Sequence, residues 1–282
     1  MATKKATSVR KKSYGIKSAR KSTRKIDKGY RYKTAGIVAV LFLLTFFSVM
    51  TYYHSTVNAY TADKIIKPLP AYYSAGVLTY DQGDKFTLSS NGVDTVAAAK
   101  TINTGINTRI IFWNSKSPVL TNSEACTSFA SADDETQEGV ALRVSKDNKG
   151  IVSALTVLKN VYGPTVPATY SGFNVLAWYK DPAGNYSTFS DLGSFPFQST
   201  FIQNGVLAPE PWSLCAKAIG NTLSFISWPA NIAEPGWGTP GYSGSVQIPA
   251  AYSSGYTGWY FGHITAGKSI TYSNLSSGSV AN

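Results

Sequence analysis

The sequence predicts an all-β protein, an antiparallel β-sandwich that follows one transmembrane helix and a disordered basic tail. Three observations support this prediction. From about Lys85 onwards, short runs of β-branched and aromatic residues alternate with turn residues; an uncharged run covers residues 35–53; and basic residues are concentrated before it. We therefore expect a basic cytoplasmic tail at 1–34, a transmembrane helix at 35–53, a stalk or lead-in at 54–84 and the sandwich domain at 85–282.

The positive charge of the chain lies almost entirely in its N-terminal tail. Residues 1–34 contain nine Lys and four Arg against one Asp, whereas the other 248 residues carry 13 basic and 14 acidic side chains. The net charge of +11 therefore describes the tail and not the folded part. Because no nucleic-acid-binding domain accompanies the tail, we expect a topology signal that also contacts anionic lipid, with a nucleic-acid-binding arm as the alternative.

The uncharged run at 35–53 has the length of a single membrane span. Its 19 residues would form a helix of about 28 Å, close to the hydrocarbon thickness of about 30 Å. The preceding Lys and Arg residues place the N-terminus in the cytoplasm and the C-terminal domain outside, with membrane lipid around the helix. The alternative is a signal peptide cleaved near Ala59, because residues 57–59 resemble a small-residue cleavage site, and the protein would then be secreted.

The outer part of the chain reads as a series of short strands. About 190 residues with this pattern suffice for one sandwich with a sizeable core. Residues 95–100 are the one further stretch with some helical character. Gly220-Asn221 is a two-residue hairpin turn, and the runs at 147–150 and 181–185 are looser turns. The predicted strands cover residues 86–89, 109–113, 139–145, 154–161, 173–179, 212–219, 222–228, 245–248, 258–264 and 269–275.

Both cysteines lie in the outer part of the chain. Cys126 falls in a stretch that we expect to be irregular, and Cys215 falls in a predicted strand. In an oxidising compartment, a lone pair of cysteines in a β-sandwich more often forms a disulfide than it serves as a nucleophile. We therefore expect a Cys126–Cys215 disulfide, with two free thiols as the alternative.

The string GHITAGKS at residues 262–269 satisfies the phosphate-loop pattern G-x-x-x-x-G-K-[ST]. A phosphate loop lies between a strand and a helix whose N-terminus holds the phosphates. Here SITYSNL follows, which alternates like a strand, and only 13 residues remain after Ser269. We therefore expect a hairpin with its turn at Ala266-Gly267, and no bound nucleotide.

The polar residues of the outer part predict no catalytic centre. His263 is its only histidine apart from His54 at the membrane boundary, and a structural role across the sheet is favoured for it. No strand carries acids at i, i+2 and i+4. One His and two Cys are a poor ligand set for zinc. The acidic run at 133–138 predicts a solvated loop, in which Asp133 and Asp134 are the candidate Ca²⁺ ligands; no other cofactor is expected.

The last third of the chain resembles the C-terminal half of a concanavalin A-like or laminin-G-like jelly-roll domain. The resemblance rests on the strand pair at 220–229, the Pro235-Gly236-Trp237 loop, the glycine-rich strand at 258–262 and the closing Tyr272-Ser273-Asn274-Leu275; GVALRVS at 139–145 resembles an inner strand of the same fold. It implies two packed antiparallel sheets, with ligands on the concave face or at rim loops. The Glu-x-Asp-x-Glu strand of the catalytic members is absent from the sequence.

The leading functional hypothesis is a membrane-anchored, extracytoplasmic, lectin-like module that binds a glycan or another surface polymer. An indole or phenol ring can stack on the apolar face of a sugar. The candidates are Trp237 and Tyr242 in one Gly/Pro-rich loop, with Tyr256 and Trp259 in the next aromatic stretch. The remaining four tryptophans are expected in the core: Trp113, Trp178, Trp212 and Trp228.

Two alternatives from other classes stay open. One is a structural or adhesive envelope protein that contacts other proteins, which a flat apolar patch would favour. The other is an extracellular glycoside hydrolase that uses the acidic loop or His263, which two facing carboxylates in a cleft would favour.

Overall fold

The computed structural model describes residues 62–81, 83–101, 107–131, 136–160, 172–181, 187–203 and 206–281. Several predicted features lie outside these residues: the basic tail at 1–34, the transmembrane helix at 35–53, the cleavage site at 57–59, and both Asp133 and Asp134. In the part of the chain that is described, no helix combines the length and the apolar character that a membrane span requires.

The described chain is built almost entirely of strands. In chain order the elements are α1 (Ala62–Ile65), β1 (Tyr73–Thr79), β2 (Lys85–Ser90), β3 (Thr95–Thr101), β4 (Arg109–Asn114), β5 (Ser123–Ser131), β6 (Gln137–Lys146), β7 (Val152–Lys159), β8 (Phe173–Lys180), β9 (Ser187–Phe195), α2 (Gln198–Phe201), β10 (Ile202–Gln203), β11 (Val206–Leu207), β12 (Trp212–Ile219), β13 (Thr222–Pro229), β14 (Ser243–Gln247), β15 (Tyr256–Gly262) and β16 (Ser269–Ser279).

Two seven-stranded antiparallel sheets confirm the predicted all-β sandwich. Sheet I has the order β1-β4-β15-β6-β7-β8-β9, and sheet II has the order β14-β13-β12-β5-β16-β3-β2. The short strands β10 and β11 form a separate hairpin.

The main core lies between the two sheets and follows the two-residue period of the strands. In β6, Val140 and Leu142 face this core, and in β12 the residues Leu214 and Ala216 do the same from the opposite sheet. The Tyr272 hydroxyl donates a hydrogen bond to the carbonyl of Tyr260 at 2.7 Å, so this buried polar group is satisfied. Aliphatic and aromatic side chains thus join the sheets, while the intervening residues of sheet II face outwards.

Sheet I curls strongly and encloses a second apolar cluster on its other face. A Cβ placed on Gly76 in β1 would lie 2.2 Å from Cγ2 of Val152 in β7, four strands further along the sheet. Only a residue without a side chain allows this approach, and β1 also contacts β9. The enclosed cluster includes Trp113, Trp178 and Tyr260, all of which are buried. This cluster lies on the concave face of sheet I, which is therefore filled by the protein's own side chains.

The structure corrects the predicted start of the sandwich. Residues 62–84 were expected to belong to a stalk, but β1 pairs with β4 inside sheet I, and Ile66 bridges to Phe86 at the edge of sheet II. Ile65 and Ile66 are each 1% exposed and pack in the main core. The burial of these side chains explains why this Pro-containing stretch is ordered as part of the domain.

Three further assignments are corrected. Residues 95–100, for which some helical character was expected, lie in the strand β3. Ala97 and Ala99 of this strand are buried in the main core. The stretch around Cys126 is the regular strand β5, between β12 and β16. Strand β9 was not predicted. Its residues 189–191 are exposed, and the sequence of this edge strand lacks an alternation of apolar and polar residues.

The predicted hairpins are confirmed where the structure describes them. Gly220 and Asn221 join β12 to β13 as a two-residue turn, in which Gly220 has φ 56°. In GHITAGKS, Gly267 has φ 77° and the Lys268 N–H donates to the carbonyl of Thr265, after which β16 begins. The phosphate-loop pattern is therefore a turn between two strands, with no helix after it.

Arg143 ties together the loops at the end of the sandwich that carries the Gly220-Asn221 turn. Its guanidinium donates to the carbonyls of Tyr252, Thr121 and Gly220. Because these carbonyls belong to three different loops, the contacts fix the β12–β13 turn against its neighbours.

Candidate functional site

Trp237 is the one exposed tryptophan of this chain. All six tryptophans lie in described residues, and Trp237 is 37% exposed. The other five are between 0% and 8% exposed. The four tryptophans that were predicted to be core residues are indeed buried.

The loop that carries Trp237 is held by its own hydrogen bonds. The Thr239 N–H and hydroxyl both donate to the carbonyl of Gly236, at 3.1 and 2.7 Å. The Gly238 N–H donates to Oγ of Ser243 in β14 at 3.0 Å. Gly238 has φ 90°, a conformation that a side chain would strain. These contacts order the loop that carries the indole before any ligand arrives.

Lys217 lies under one face of the Trp237 ring. Its Nζ is 3.9 Å from the ring centroid, within the range of a cation–π contact. Lys217 alternates in β12 with Ala216 and Ala218, which face the main core, so its side chain is on the outer face of sheet II. Trp237 nevertheless stays 37% exposed, so part of the residue is open to solvent.

The floor of this surface is a small apolar cluster around the disulfide. Cys126 and Cys215 are bonded, as predicted, across the neighbouring strands β5 and β12. Ile226 and Trp228 are buried against the disulfide, and Tyr242 packs on them half-buried. Tyr242 therefore supports the loop of Trp237 with most of its ring, which leaves it less surface for a ligand than was expected.

The other two aromatic candidates lie elsewhere. Trp259 is 4% exposed in the main core, and its Nε1 donates to the carbonyl of Cys126 at 3.0 Å. This corrects its assignment as a stacking residue, because neither ring face is available. Tyr256 stacks on Trp113 with ring centroids 5.8 Å apart, on the curled face of sheet I. The four candidates therefore do not form one site.

A buried charged cluster is the largest feature that the sequence reasoning missed. Nζ of Lys159 is 3.2 Å from Oε2 of Glu138 and 2.8 Å from Oε1 of Glu210. The side chains of Lys159 and Glu138 are 0% exposed, and that of Glu210 is 16% exposed. The expectation of a solvated loop at 133–138 is thus wrong for Glu138, which belongs to β6 and faces the space between the sheets.

The electrostatics of this cluster argue against nucleophilic catalysis. The hydroxyl of Ser131 donates to Glu210 at 3.0 Å and lies 3.4 Å from Nζ of Lys159. Burial lowers the pKa of Lys159, but Glu138 and Glu210 more than offset this and hold the pKa above its ordinary value. Burial raises the pKa of Glu138 to about 7, although Lys159 acts against this rise. A lysine held as a cation does not serve as a base for Ser131.

His263 occupies a strained position directly after β15. Its φ is 56°, and its N–H donates across to the carbonyl of Thr108 at 3.4 Å. The expected side-chain bond across the sheet is not seen, since Nε2 is buried and has no hydrogen-bond partner among the described residues. Burial, and then the charge of Arg109, lower the pKa of His263 to about 3, so the ring is neutral at physiological pH.

Within the described ranges, no three His, Cys, Asp or Glu side chains form a group that could hold a metal ion.

The sequence matches no family model and no curated protein. Solved structures similar to this chain include the exoplasmic/lumenal domain of VIP36 in its Ca²⁺/Man3GlcNAc-bound form, with 10% identity over 77% of this chain and 88% of that one and a TM-score of 0.46. A legume lectin-like domain from Entamoeba histolytica shows 13% identity over 77% of this chain and 96% of that one, with a TM-score of 0.42. A protein of unknown function with a galectin-like fold from Bacillus subtilis shows 8% identity over 73% of this chain and 89% of that one, with a TM-score of 0.42.

Lectin-like β-sandwiches are thus among the structures to which this chain is similar. At these identities and TM-scores, the likeness carries no information about what this chain binds.

Proposed function

We propose that this chain is a non-catalytic binding module that stacks a sugar ring of a glycan on Trp237. The observation that carries the proposal is the exposure of this single tryptophan on a hydrogen-bonded loop, while the other five are buried. A flat indole fits the C–H face of a sugar, and its edge stays in contact with water. The filled concave face of sheet I favours a site on sheet II instead.

The contacts of the chain favour this function over the two alternatives. The exposed large apolar side chains of the described residues are few, and most belong to different strands and loops, for example Val93, Val119 and Phe189, which gives little support to the flat patch expected of an adhesive surface. Glu138 and Glu210 do face each other across Lys159, as a hydrolase would require. However, Glu138 and Lys159 are fully buried, so a substrate has no access to this pair.

The proposal also includes the membrane anchor. The uncharged run at 35–53 and the basic residues before it support a domain held outside the cell by an N-terminal helix.

A glycan-array screen of the full chain tests the glycan-binding proposal. The protein should be solubilised in a detergent without a sugar headgroup, so that the detergent does not compete. We expect the wild type to bind a subset of glycans and Trp237→Ala to weaken that binding by about tenfold to a hundredfold, the loss expected when a large apolar contact is removed. Trp237→Phe keeps a flat ring and should retain part of the affinity.

Tyr72→Ala is the matched control, because Tyr72 has nearly the same exposure, 38%, on another part of the domain. It should leave binding unchanged. Absence of binding to every glycan, or equal binding by wild type and Trp237→Ala, would show that the proposal is wrong.

A further inference from the structure

A row of four polar side chains crosses the outer face of sheet II beside Trp237. The register of the sheet aligns Glu124 in β5, Lys217 in β12, Ser224 in β13 and Ser245 in β14. Each alternates along its strand with residues that face the main core, so all four share the outer face. With neighbouring strands about 4.8 Å apart, the row extends over roughly 14 Å.

The opposite charges of Glu124 and Lys217 are not paired with each other. The ion pairs among the described residues are those of Lys159 and Lys180, and neither Glu124 nor Lys217 takes part in one. Nζ of Lys217 lies against Trp237 instead. The Glu124 carboxylate is 3.7 Å from Sγ of Cys126, which has no hydrogen to donate because it is disulfide-bonded. One charged donor and one charged acceptor therefore lie side by side with unused hydrogen-bonding capacity.

The surface is open at both ends of the row. Gly278 in β16 is opposite Glu124, and nothing lies within 4 Å of the position that a Cβ would take on it. At the other end, the hydroxyls of Ser224 and Ser245 are 3.2 Å apart, and Ser245 is exposed. A chain-like ligand could thus pass across the strands without meeting a wall.

We propose that the ligand is an uncharged oligosaccharide that crosses sheet II along this row, an inference that rests on the proposed glycan-binding function. One ring stacks on Trp237, and a neighbouring ring places two adjacent hydroxyls over Glu124 and Lys217. A sugar hydroxyl both donates and accepts, so one hydroxyl donates to the Glu124 carboxylate and the other accepts from the Lys217 ammonium. These charge-assisted bonds are stronger than bonds between neutral groups.

The charges of the surface select against an acidic glycan. A uronate or sulfate that approached Lys217 would also face Glu124 on the next strand, and Glu234 is exposed in the loop of Trp237. The negative charge of such a group would be repelled by these carboxylates, whereas neutral hydroxyls can form hydrogen bonds with both Glu124 and Lys217. The row therefore fits a neutral chain of several sugar units better than a single sugar or a polyanion.

Calorimetric titration of the full chain in detergent tests this inference. The neutral probes are cellohexaose, mannohexaose and chitohexaose, each compared with its monosaccharide, and the acidic probe is a galacturonic acid hexamer. We expect at least one neutral hexamer to bind more tightly than its monosaccharide and than the acidic hexamer. Glu124→Gln and Lys217→Met should each weaken that binding by about tenfold, the loss typical of one hydrogen bond to a charged group.

Lys149→Met, a change of an exposed lysine outside the row, is the control and should bind as the wild type does. Lys217→Arg keeps the cation and should restore most of the affinity, which separates the role of the charge from an effect on folding. Thermal unfolding of each variant checks that the sandwich is intact.

The outcomes separate this inference from the function on which it rests. If Trp237→Ala abolishes binding but Glu124→Gln and Lys217→Met leave it unchanged, the row is not part of the site although the glycan-binding function stands. Tighter binding of the acidic hexamer than of every neutral probe would also overturn the inference. If Trp237→Ala leaves all binding intact, both proposals fail. If none of the neutral hexamers binds, this inference fails, and the glycan array decides whether the glycan-binding function stands.

Discussion

The carboxyl group of Glu138 lies between the two sheets, with Lys159 as its charged neighbour. Thr136 donates a hydrogen bond to one carboxylate oxygen, whereas the other has only the ion pair with Lys159. Glu210, in the segment before β12, and Ser131, at the end of β5, contact each other beside the cluster, and Tyr272 lies close enough for the charge of Glu138 to raise the pKa of Tyr272 further. The cost of removing the charged carboxylate from water outweighs its attraction to the Lys159 ammonium, and the pKa of Glu138 is therefore raised.

This shift predicts a pH dependence of stability. The folded pKa of Glu138, about 7, exceeds its ordinary value of 4.5, so the group favours the folded state below pH 4.5, and this contribution is lost as the pH rises to about 7. We expect the free energy of unfolding to fall as the pH rises over this window, with a slope that corresponds to at most one more proton bound in the folded state than in the unfolded state. In Glu138→Gln this component should disappear.

Urea unfolding at a series of pH values measures the difference between wild type and Glu138→Gln. Glu234→Gln, a change of an exposed carboxylate, is the control and should follow the wild-type profile. A difference between wild type and Glu138→Gln that stays constant from pH 4.5 to 7 would contradict the assignment.

At the scale of single residues, the sequence predicted the burial of four tryptophans but not the environments of Glu138 and Lys217. The core positions of Trp113, Trp178, Trp212 and Trp228 followed from their places in apolar strands. The burial of Glu138 did not, because the acidic residues before it suggested a loop and its partner Lys159 is 21 positions away in the sequence. The pairing of Lys217 with Trp237, and its alignment with Glu124, likewise depend on strand register, which the alternation of one strand does not reveal.

At the scale of elements, the disulfide links two strands that already pair in the centre of sheet II. Cys126 and Cys215 are directly opposite each other, and 89 positions separate them in the sequence. The sequence predicted the bond but placed Cys126 outside a strand, because SEACTSFAS alternates small and polar residues instead of large apolar ones. Small residues suffice there, since the facing space is filled by rings such as those of Trp212 and Trp259.

Removal of the disulfide should destabilise the domain substantially. Closing a loop of this length restricts the unfolded chain, a contribution on the order of 4 kcal/mol in the chain-entropy model. We expect the double variant Cys126→Ala/Cys215→Ala, and wild type in a reducing agent, to lower the midpoint of denaturant unfolding to a similar extent. A change below about 1 kcal/mol in both would show that this cross-link contributes little.

At the scale of the whole molecule, the sequence predicted the sandwich because most strands are separated by clear turns. It misplaced the beginning of the domain, since Pro68 and Pro70 suggested a stalk while Ile65, Ile66 and β1 supply part of the core. Strand β1 can take its place in sheet I only with a glycine at position 76, because Val152 of β7 occupies the space of a side chain there. The sequence alone does not show that these two strands approach each other.

The proposed anchor gives a prediction for the intact protein. The full chain, expressed in cells, should stay with the membrane fraction after extraction at alkaline pH, and its mass should include residues 1–34. Deletion of residues 35–53 should release it, because the apolar run supplies the free energy of insertion. A mature N-terminus close to Ala59 and recovery in the medium would show instead that the segment is a cleaved signal peptide.

The curl of sheet I has a consequence for how the domain behaves among many copies of itself. A strand at the edge of an open sheet offers unpaired N–H and C=O groups to any other chain, and such edges are where β proteins aggregate. In this molecule the two edge strands of sheet I, β1 and β9, contact each other, so each limits access to the other. Sheet I therefore offers little open edge through which one copy of the domain could join sheet I of another copy.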